Sequence, residues 1–283
     1  MRRRTTDRMA FAAMALLALC GAAGGAAMAG TASLPDDPLG SPMWRDMAAK
    51  FFDGAPVVLD PRIKVSVPSI VENQAQVPVT ADARGIDGVV KLVVFADLNP
   101  IQHVLTLHPR QSAPYVSFRM KVEQGTPVRA AALTADGVWR VGGVFLDAAG
   151  GGCSAPAMAR KDADWSQTVG LTQGRAWRQA DGMSRVRLRI RHPMDTGLAK
   201  DNTPAFFIET LELKGGKGDG VARLELFEPV SEDPTLTLLL RLPVSEAGVG
   251  VEGRDNNGTL YRSTIPTSLD QSAIGSDTGT AVR

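Results

Sequence analysis

The sequence has little cysteine, histidine or aromatic residue, and each shortage excludes a class of function. Two cysteines and three histidines occur in 283 residues. His103, His108 and His192 stand at no metal-ligand spacing, and no second cysteine supports a site, so no resident metal or cofactor is expected. Cys153 with Met158 or Met183 would make a soft-metal set, but these methionines read better as packing. Two tyrosines and four tryptophans leave few stacking groups, and 31 basic residues face 30 acidic ones. With no basic surplus, nucleic acid is not an expected partner. Asp162 and Asp164 are too isolated to be a catalytic carboxylate pair, and no base or oxyanion donor is visible beside a nucleophile, so a self-sufficient enzyme is not expected. Gly215-Gly216-Lys217-Gly218 lacks the remaining spacing of a phosphate loop and reads as a hairpin turn.

Long apolar runs are confined to the beginning. Arg2, Arg3, Arg4 and Arg8 precede an apolar stretch from Met9 to Leu19, then small residues up to Ala27-Met28-Ala29. Residues 1–29 therefore read as a signal peptide, with cleavage after Ala32 as the second choice. A membrane span is the competing reading, but the run is short and broken by Gly21, Gly24 and Gly25. A lipoprotein anchor at Cys20 lacks the small residue usually placed just before such a cysteine. After cleavage about 254 residues remain, with no further segment long enough to span a bilayer. The first 29 residues carry +3 of the total +1, so the mature chain is near −2. Export implies an oxidising compartment.

Residues 30–62 form a proline-rich lead-in with one short helix. Ser41 can cap it and Pro42 suits its first position. Met43, Met47 and Phe51 share a face, and Gly54 ends it. From Ile63 the period becomes two. Residues 63–147 hold about seven short strands, among them the nearly continuous apolar run Val89 to Phe95 and an Asp136-Gly137 hairpin signal. Residues 148–183 show little strand pattern and read as an arm and linker. A second series follows over 184–266, opening with strict alternation: Val186, Leu188 and Ile190 inward, Arg185, Arg187, Arg189 and Arg191 outward. The arginine row could attract an anionic cargo or acidic partner, or could be a solvated strand face. Residues 267–283 read as a disordered tail. The expected fold is all-β: two immunoglobulin-like antiparallel β-sandwiches in tandem, preceded by a short helix.

Once Cys20 leaves with the signal, Cys153 is the only cysteine, and a lone cysteine in a secreted chain implies an intermolecular bond or a reactive thiol. Gly150, Gly151 and Gly152 precede it and Ser154 follows. The glycines predict a mobile arm with no side chains to screen the sulfur. The bland alternative is an ordinary loop cysteine. Arg160 and Lys161 are the cations nearest in sequence that could favour its thiolate.

Several blocks resemble the SoxY and SoxZ subunits of the periplasmic Sox sulfur-carrier complex, joined in one chain. For SoxY these are Val67-Pro-Ser-Ile-Val-Glu-Asn-Gln-Ala-Gln-Val-Pro-Val79, Asp97-Leu-Asn-Pro100 and Gly151-Gly-Cys153. For SoxZ they are Arg191-His-Pro-Met-Asp-Thr-Gly197, Pro204-Ala-Phe-Phe-Ile-Glu209 and Asp255-Asn-Asn-Gly258. The resemblance implies a carrier, not an enzyme, that holds sulfur intermediates covalently on Cys153 and presents them to periplasmic sulfur-oxidising enzymes. Single-chain versions resemble carriers associated with a quinoprotein dehydrogenase, which gives the alternative of a non-covalent accessory module. In SoxY the arm ends the chain. Here Ser154-Ala155-Pro156 continue it, so it cannot thread a narrow tunnel end-first. A monomer or a domain-exchanged dimer is expected.

Overall fold

The computed structural model of the chain describes residues 33–268. The expected signal peptide and most of the expected tail lie outside the described residues. One helix, α1 (Trp44–Phe52), precedes the strands. The first domain contains β1 (Val57–Leu59), β2 (Lys64–Ser66), β3 (Val77–Asp82), β4 (Val89–Ala96), β5 (His103–His108), β6 (Ser112–Met120), β7 (Thr126–Thr134) and β8 (Trp139–Leu146). A 3-10 turn (Met158–Lys161) and the single-turn α2 (Trp165–Thr168) follow. The second domain contains β9 (Thr172–Arg178), β10 (Ser184–Ile190), β11 (Ile208–Lys214), β12 (Gly220–Leu226), β13 (Thr235–Leu240), β14 (Gly248–Asp255) and β15 (Leu260–Ser268).

The fold is all-β and sandwich-like, and the two domains share their sheets. One layer runs β1-β8-β7-β4-β5-β12-β11-β14, the other β9-β10-β13-β6-β3-β2, and β15 pairs with β14 in the first and β9 in the second. The domains join edge to edge twice. His108 to Leu105 of β5 pair with Arg223 to Leu226 of β12, and β6 pairs with β13 through Ser117↔Thr237 and Val116↔Leu238. Joining in this way removes edges that would otherwise expose unpaired amides. Pairing is antiparallel except for two parallel pairs, β1 with β8 and β15 with β9. A single buried core runs through both domains, from Val79, Leu92 and Val116 to Leu188, Leu224 and Val251.

α1 explains the nearly continuous apolar run of β4. Trp44, Met47, Ala48 and Phe52 pack on Val93, Phe95, Ala131, Trp139 and Val141, so β4 is covered on its outer face as well as its inner one. The helix starts at Trp44, two residues later than Pro42 at its first position implies; Ser41 Oγ still accepts from the Met43 amide at 3.3 Å. The lead-in is tied down by a buried ion cluster. Arg129 Nε donates to both Asp97 oxygens at 3.0 Å, its Nη2 reaches Asp37 at 2.7 Å, and its guanidinium lies 4.5 Å from the Trp44 ring.

Four stretches differ from the sequence expectation, the first being β1, which lies within the span read as a proline-rich lead-in with one short helix. β9 lies within the span read as linker. Among its side chains only Ala176 is buried, so it carries almost no alternating signal. β5, buried at four of its six positions, carries only a weak strand pattern because Thr106 and two terminal histidines leave it three apolar residues. Thr267 and Ser268, expected in the tail, pair with Ala176 and Trp177.

Candidate functional site

β6 ends at Met120 and leads straight into Lys121-Val122-Glu123. This segment forms the floor on which the glycine-cysteine arm rests. The Gly152 amide donates to the Val122 carbonyl at 2.9 Å and the Gly151 amide to Glu123 O at 3.3 Å. The Glu123 carboxylate then holds the next two residues: Oε2 accepts from the Cys153 and Ser154 amides, each at 3.0 Å, and Oε1 accepts from Ser154 Oγ at 2.9 Å. The far side comes from the second domain, where Thr196 Oγ1 donates to the Cys153 carbonyl at 2.6 Å.

The arm expected to be mobile and unscreened is therefore docked, and Cys153 is a free thiol with 0% exposure. The glycines serve this docking. A Cβ on Gly152 would lie 2.1 Å from Gln74 O, and one on Gly150 would lie 2.2 Å from Glu123 O. Gly150 and Gly151 also have φ of 101° and 85°, in the region that favours glycine. Close approach and backbone sign require the same residues that the sequence offered as signs of mobility.

Burial pushes the Cys153 thiol up to about 12, the Glu123 charge adds to the rise, and Lys121 offsets part of it. Relative to a free cysteine, that is on the order of a thousandfold less thiolate at neutral pH. Lys121 is itself buried, with its ammonium donating to the Met194 carbonyl. Burial lowers it to about 8, against the attraction of Asp195, Cys153 and Glu232. The docked state thus holds a protonated, shielded sulfur beside a lysine.

Neither Lys121 nor Glu123 was visible as a site residue. By strand alternation Lys121 follows Arg119 on the outward side, and only the covering second domain makes it interior. Asn99, in the Asp97-Leu98-Asn99-Pro100 block, was a usable signal: its Nδ2 donates to Lys121 O at 3.0 Å and its Oδ1 accepts from the Glu123 amide at 3.0 Å. That block therefore positions the floor of the arm. The cations proposed from sequence go elsewhere. Arg160 pairs with Asp195 at 2.6 Å and Lys161 is exposed. Asp162 pairs with Arg191 at 2.6 Å.

The histidines are structural. His103 stacks on Phe227 at 3.8 Å across the domain joint, and His108 lies 3.3 Å from Glu225. His192 is buried; its Nδ1 accepts from the Met194 amide at 3.0 Å and its ring lies 4.3 Å from Phe206. It thereby shapes the Met194-Asp195-Thr196 turn, in which Met194 has a φ of 49°. The Asp255-Asn-Asn-Gly258 turn supports the same region: Asn256 donates to Ala205 O at 2.9 Å, and Tyr261 donates to Asp255.

Residues 48–153 match the family "Sulfur oxidation protein SoxY", and residues 174–266 match "Sulphur oxidation protein SoxZ". Among solved structures, the chain is similar to the sulfur carrier protein SoxY from Chlorobium limicola f thiosulfatophilum: 27% identity over 36% of this chain and 92% of that one, with a TM-score of 0.32. A beta-glycosidase from Bacteroides vulgatus matches at 9% identity over 73% of this chain and 25% of that one, with a TM-score of 0.22. A tetra-tandem repeat from the extending region of a large adhesion protein matches at 14% identity over 73% and 48%, also with a TM-score of 0.22. No curated protein matches the chain significantly. Among the described residues no helix is long and apolar enough to cross a membrane. The SoxY match ends on Cys153 and the SoxZ match begins within β9, so the two families follow one another along one chain, which belongs to the SoxY and SoxZ sulfur-oxidation carriers as a fusion of both.

Proposed function

We propose that the protein is a periplasmic carrier that binds a sulfur-containing intermediate covalently through Cys153 and presents it to partner enzymes. The observation that carries this reading is the docked arm: Cys153, the one cysteine among the described residues, follows three glycines and is held between the two domains by hydrogen bonds with Glu123 and Thr196. The docked arm is the resting state, in which the protonated sulfur is protected from adventitious oxidation. Release exposes the sulfur and returns its acidity toward that of a free cysteine. Joining the thiol to the outer sulfur of a thiosulfate-class anion forms one S–S bond. That step releases the thiol proton and two electrons, and an electron-accepting partner enzyme takes up the electrons. The arm is tethered at both ends, which suits a shallow partner site.

Intact mass of the protein from its native periplasm, before and after reduction, tests this directly. A reducible adduct that maps to Cys153 and is lost in Cys153→Ser is expected. Cargo retained by the serine variant would overturn the reading.

The burial of Cys153 favours one rival, a non-covalent accessory module for a quinoprotein dehydrogenase. Equal recovery of that dehydrogenase with Cys153→Ser, together with a bare thiol in every periplasmic preparation, would favour the rival.

A further inference from the structure

The outer face of the second layer carries a cluster of arginines that the arm chemistry does not use. β9 and β10 pair so that Arg175 lies directly opposite Arg187, Trp177 opposite Arg185, and Gln173 opposite Arg189. Directly opposed like charges destabilise a sheet, so their presence calls for a compensating role. Arg119 of β6 joins them across β13, and Arg119, Gln173, Arg175, Trp177, Arg187 and Arg189 line an open groove of about 870 Å³.

The carboxylates in the groove are already engaged. Asp233 bridges Arg189 and Arg191 and accepts from the His192 amide at 3.0 Å. Glu232 accepts from the Ala159 amide at 3.2 Å. Among the described residues, Arg119, Arg175 and Arg187 form no ion pair, and all three are exposed. This concentration of positive charge sits on a chain whose overall net charge is only +1.

We infer that this groove is a docking surface for an acidic, extended segment of a partner protein. A single small oxyanion would occupy a minor part of a volume that falls in the range of sites for much larger ligands. The arginines are spread along and across strands: neighbours on β10 are about 7 Å apart and adjacent strands about 4.8 Å apart. That spacing suits a row of carboxylates. Trp177 offers a flat apolar surface beside them.

The groove also borders the arm. Gln76 lies on its rim, two residues from Gln74, whose carbonyl Gly152 abuts, and Glu232 anchors Ala159 just after the cysteine. A partner seated here would stand next to the arm when it is released. In this respect the inference rests on the carrier reading, but the binding itself does not need the thiol.

The test therefore uses the mature chain carrying Cys153→Ser, so that a failure of carrier chemistry cannot affect the outcome. The probe is a fluorescent synthetic peptide of about ten residues, rich in Glu and Asp, long enough to span the strands of the groove. Binding that weakens with salt is expected. Arg175→Glu with Arg187→Glu should weaken it about a hundredfold through like-charge repulsion. Arg262→Glu, on β15 outside the groove and with a side chain 73% exposed, should leave it unchanged. If the paired reversal fails to fold, Arg175→Ser with Arg187→Ser serves the same purpose. Arg187→Ser alone should raise the melting temperature by about 1–3 °C, because it removes a like-charge pair. The proposal is overturned if the peptide does not bind, if it binds the arginine variants equally, if free sulfate binds the groove while the peptide does not, or if Arg187→Ser lowers the melting temperature.

Discussion

On the first domain's side of Cys153 the contacts are charged: Glu123 grips the arm, and Lys121 is buried beneath it. On the second domain's side the hydrogen bonds are neutral: the Thr196 hydroxyl donates to Cys153 and the Met194 carbonyl accepts from Lys121, in a turn that an uncharged His192 shapes and whose one carboxylate, Asp195, is paired with Arg160. Burial dominates the ionisation of the sulfur, and the first wall adjusts it through two charges that act on the thiol in opposite directions. The second wall closes the space through Thr196 against Cys153 and Met194 against Lys121, and burial is the largest influence on both ionisable groups. A fused second domain is thus a lid as well as a partner. Removing a group from either wall should affect the thiol, but in different ways.

The largest effect should come from the anchor behind the first wall. Arg129 fixes Asp97, and Asn99 two residues later fixes the Lys121-to-Glu123 floor. Arg129→Ala leaves the fully buried Asp97 carboxylate unpaired and should cost about 3–5 kcal/mol in urea unfolding. Thiol labelling of Cys153 should accelerate in the folded variant as well. Unchanged stability would mean that the ion cluster does not anchor this wall.

The second wall should respond to acid. Burial lowers His192 to about 4, so it is neutral in the folded protein, while the unfolded chain binds a proton near 6.5. The unfolded state therefore binds more protons below that value. The contribution of neutral His192 is intact above about pH 6.5 and is lost as pH falls toward 4, by up to about 3 kcal/mol. Urea midpoints measured across this window should fall steadily, and a flat profile would contradict the buried, neutral assignment.

Much of this architecture is legible in the sequence because burial there is periodic. The Val186-Leu188-Ile190 alternation, the Asp136-Gly137 hairpin and the doubly covered run in β4 each follow from local pattern. β9 was not legible: it turns Gln173, Arg175 and Trp177 to the groove, buries only Ala176, and pairs with β10 and β15. The site was half legible. Cys153 and its glycines stand out, yet the docking that buries them depends on Glu123 and Thr196, 30 residues before and 43 after. No local pattern reports contacts at that separation. The glycines misled for a physical reason: freedom from a Cβ permits both mobility and close backbone contact, and only the partner surface decides between them.

A smaller effect is expected at the docked arm. In Glu123→Gln the amide oxygen can accept from only one side of the arm, and its NH2 group opposes the remaining donors. Losing hydrogen bonds to a charged acceptor should cost about 1.5–3 kcal/mol of arm docking. Alkylation of Cys153 at neutral pH should then rise at least about tenfold, since a 1.4 kcal/mol change in opening is a factor of ten. The global unfolding midpoint should move little, because the arm packs on the sandwich rather than within it. Unaltered alkylation would mean that the lid, not the carboxylate, holds the arm.

Thr196→Val, on the opposite wall, separates these two possibilities with the smallest change. Valine keeps the bulk of the side chain and removes one hydroxyl, so the Cys153 carbonyl loses its donor and the Leu198 amide loses an acceptor at 3.2 Å. One neutral hydrogen bond contributes about 1 kcal/mol, which predicts a roughly fivefold faster alkylation. The two substitutions act on the same residue from opposite sides, so their effects should not simply add. If the arm leaves as a unit once either contact fails, the double variant should alkylate little faster than Glu123→Gln alone. If the two rates multiply instead, each wall holds the arm independently, and a partner enzyme would have to displace both to reach the sulfur.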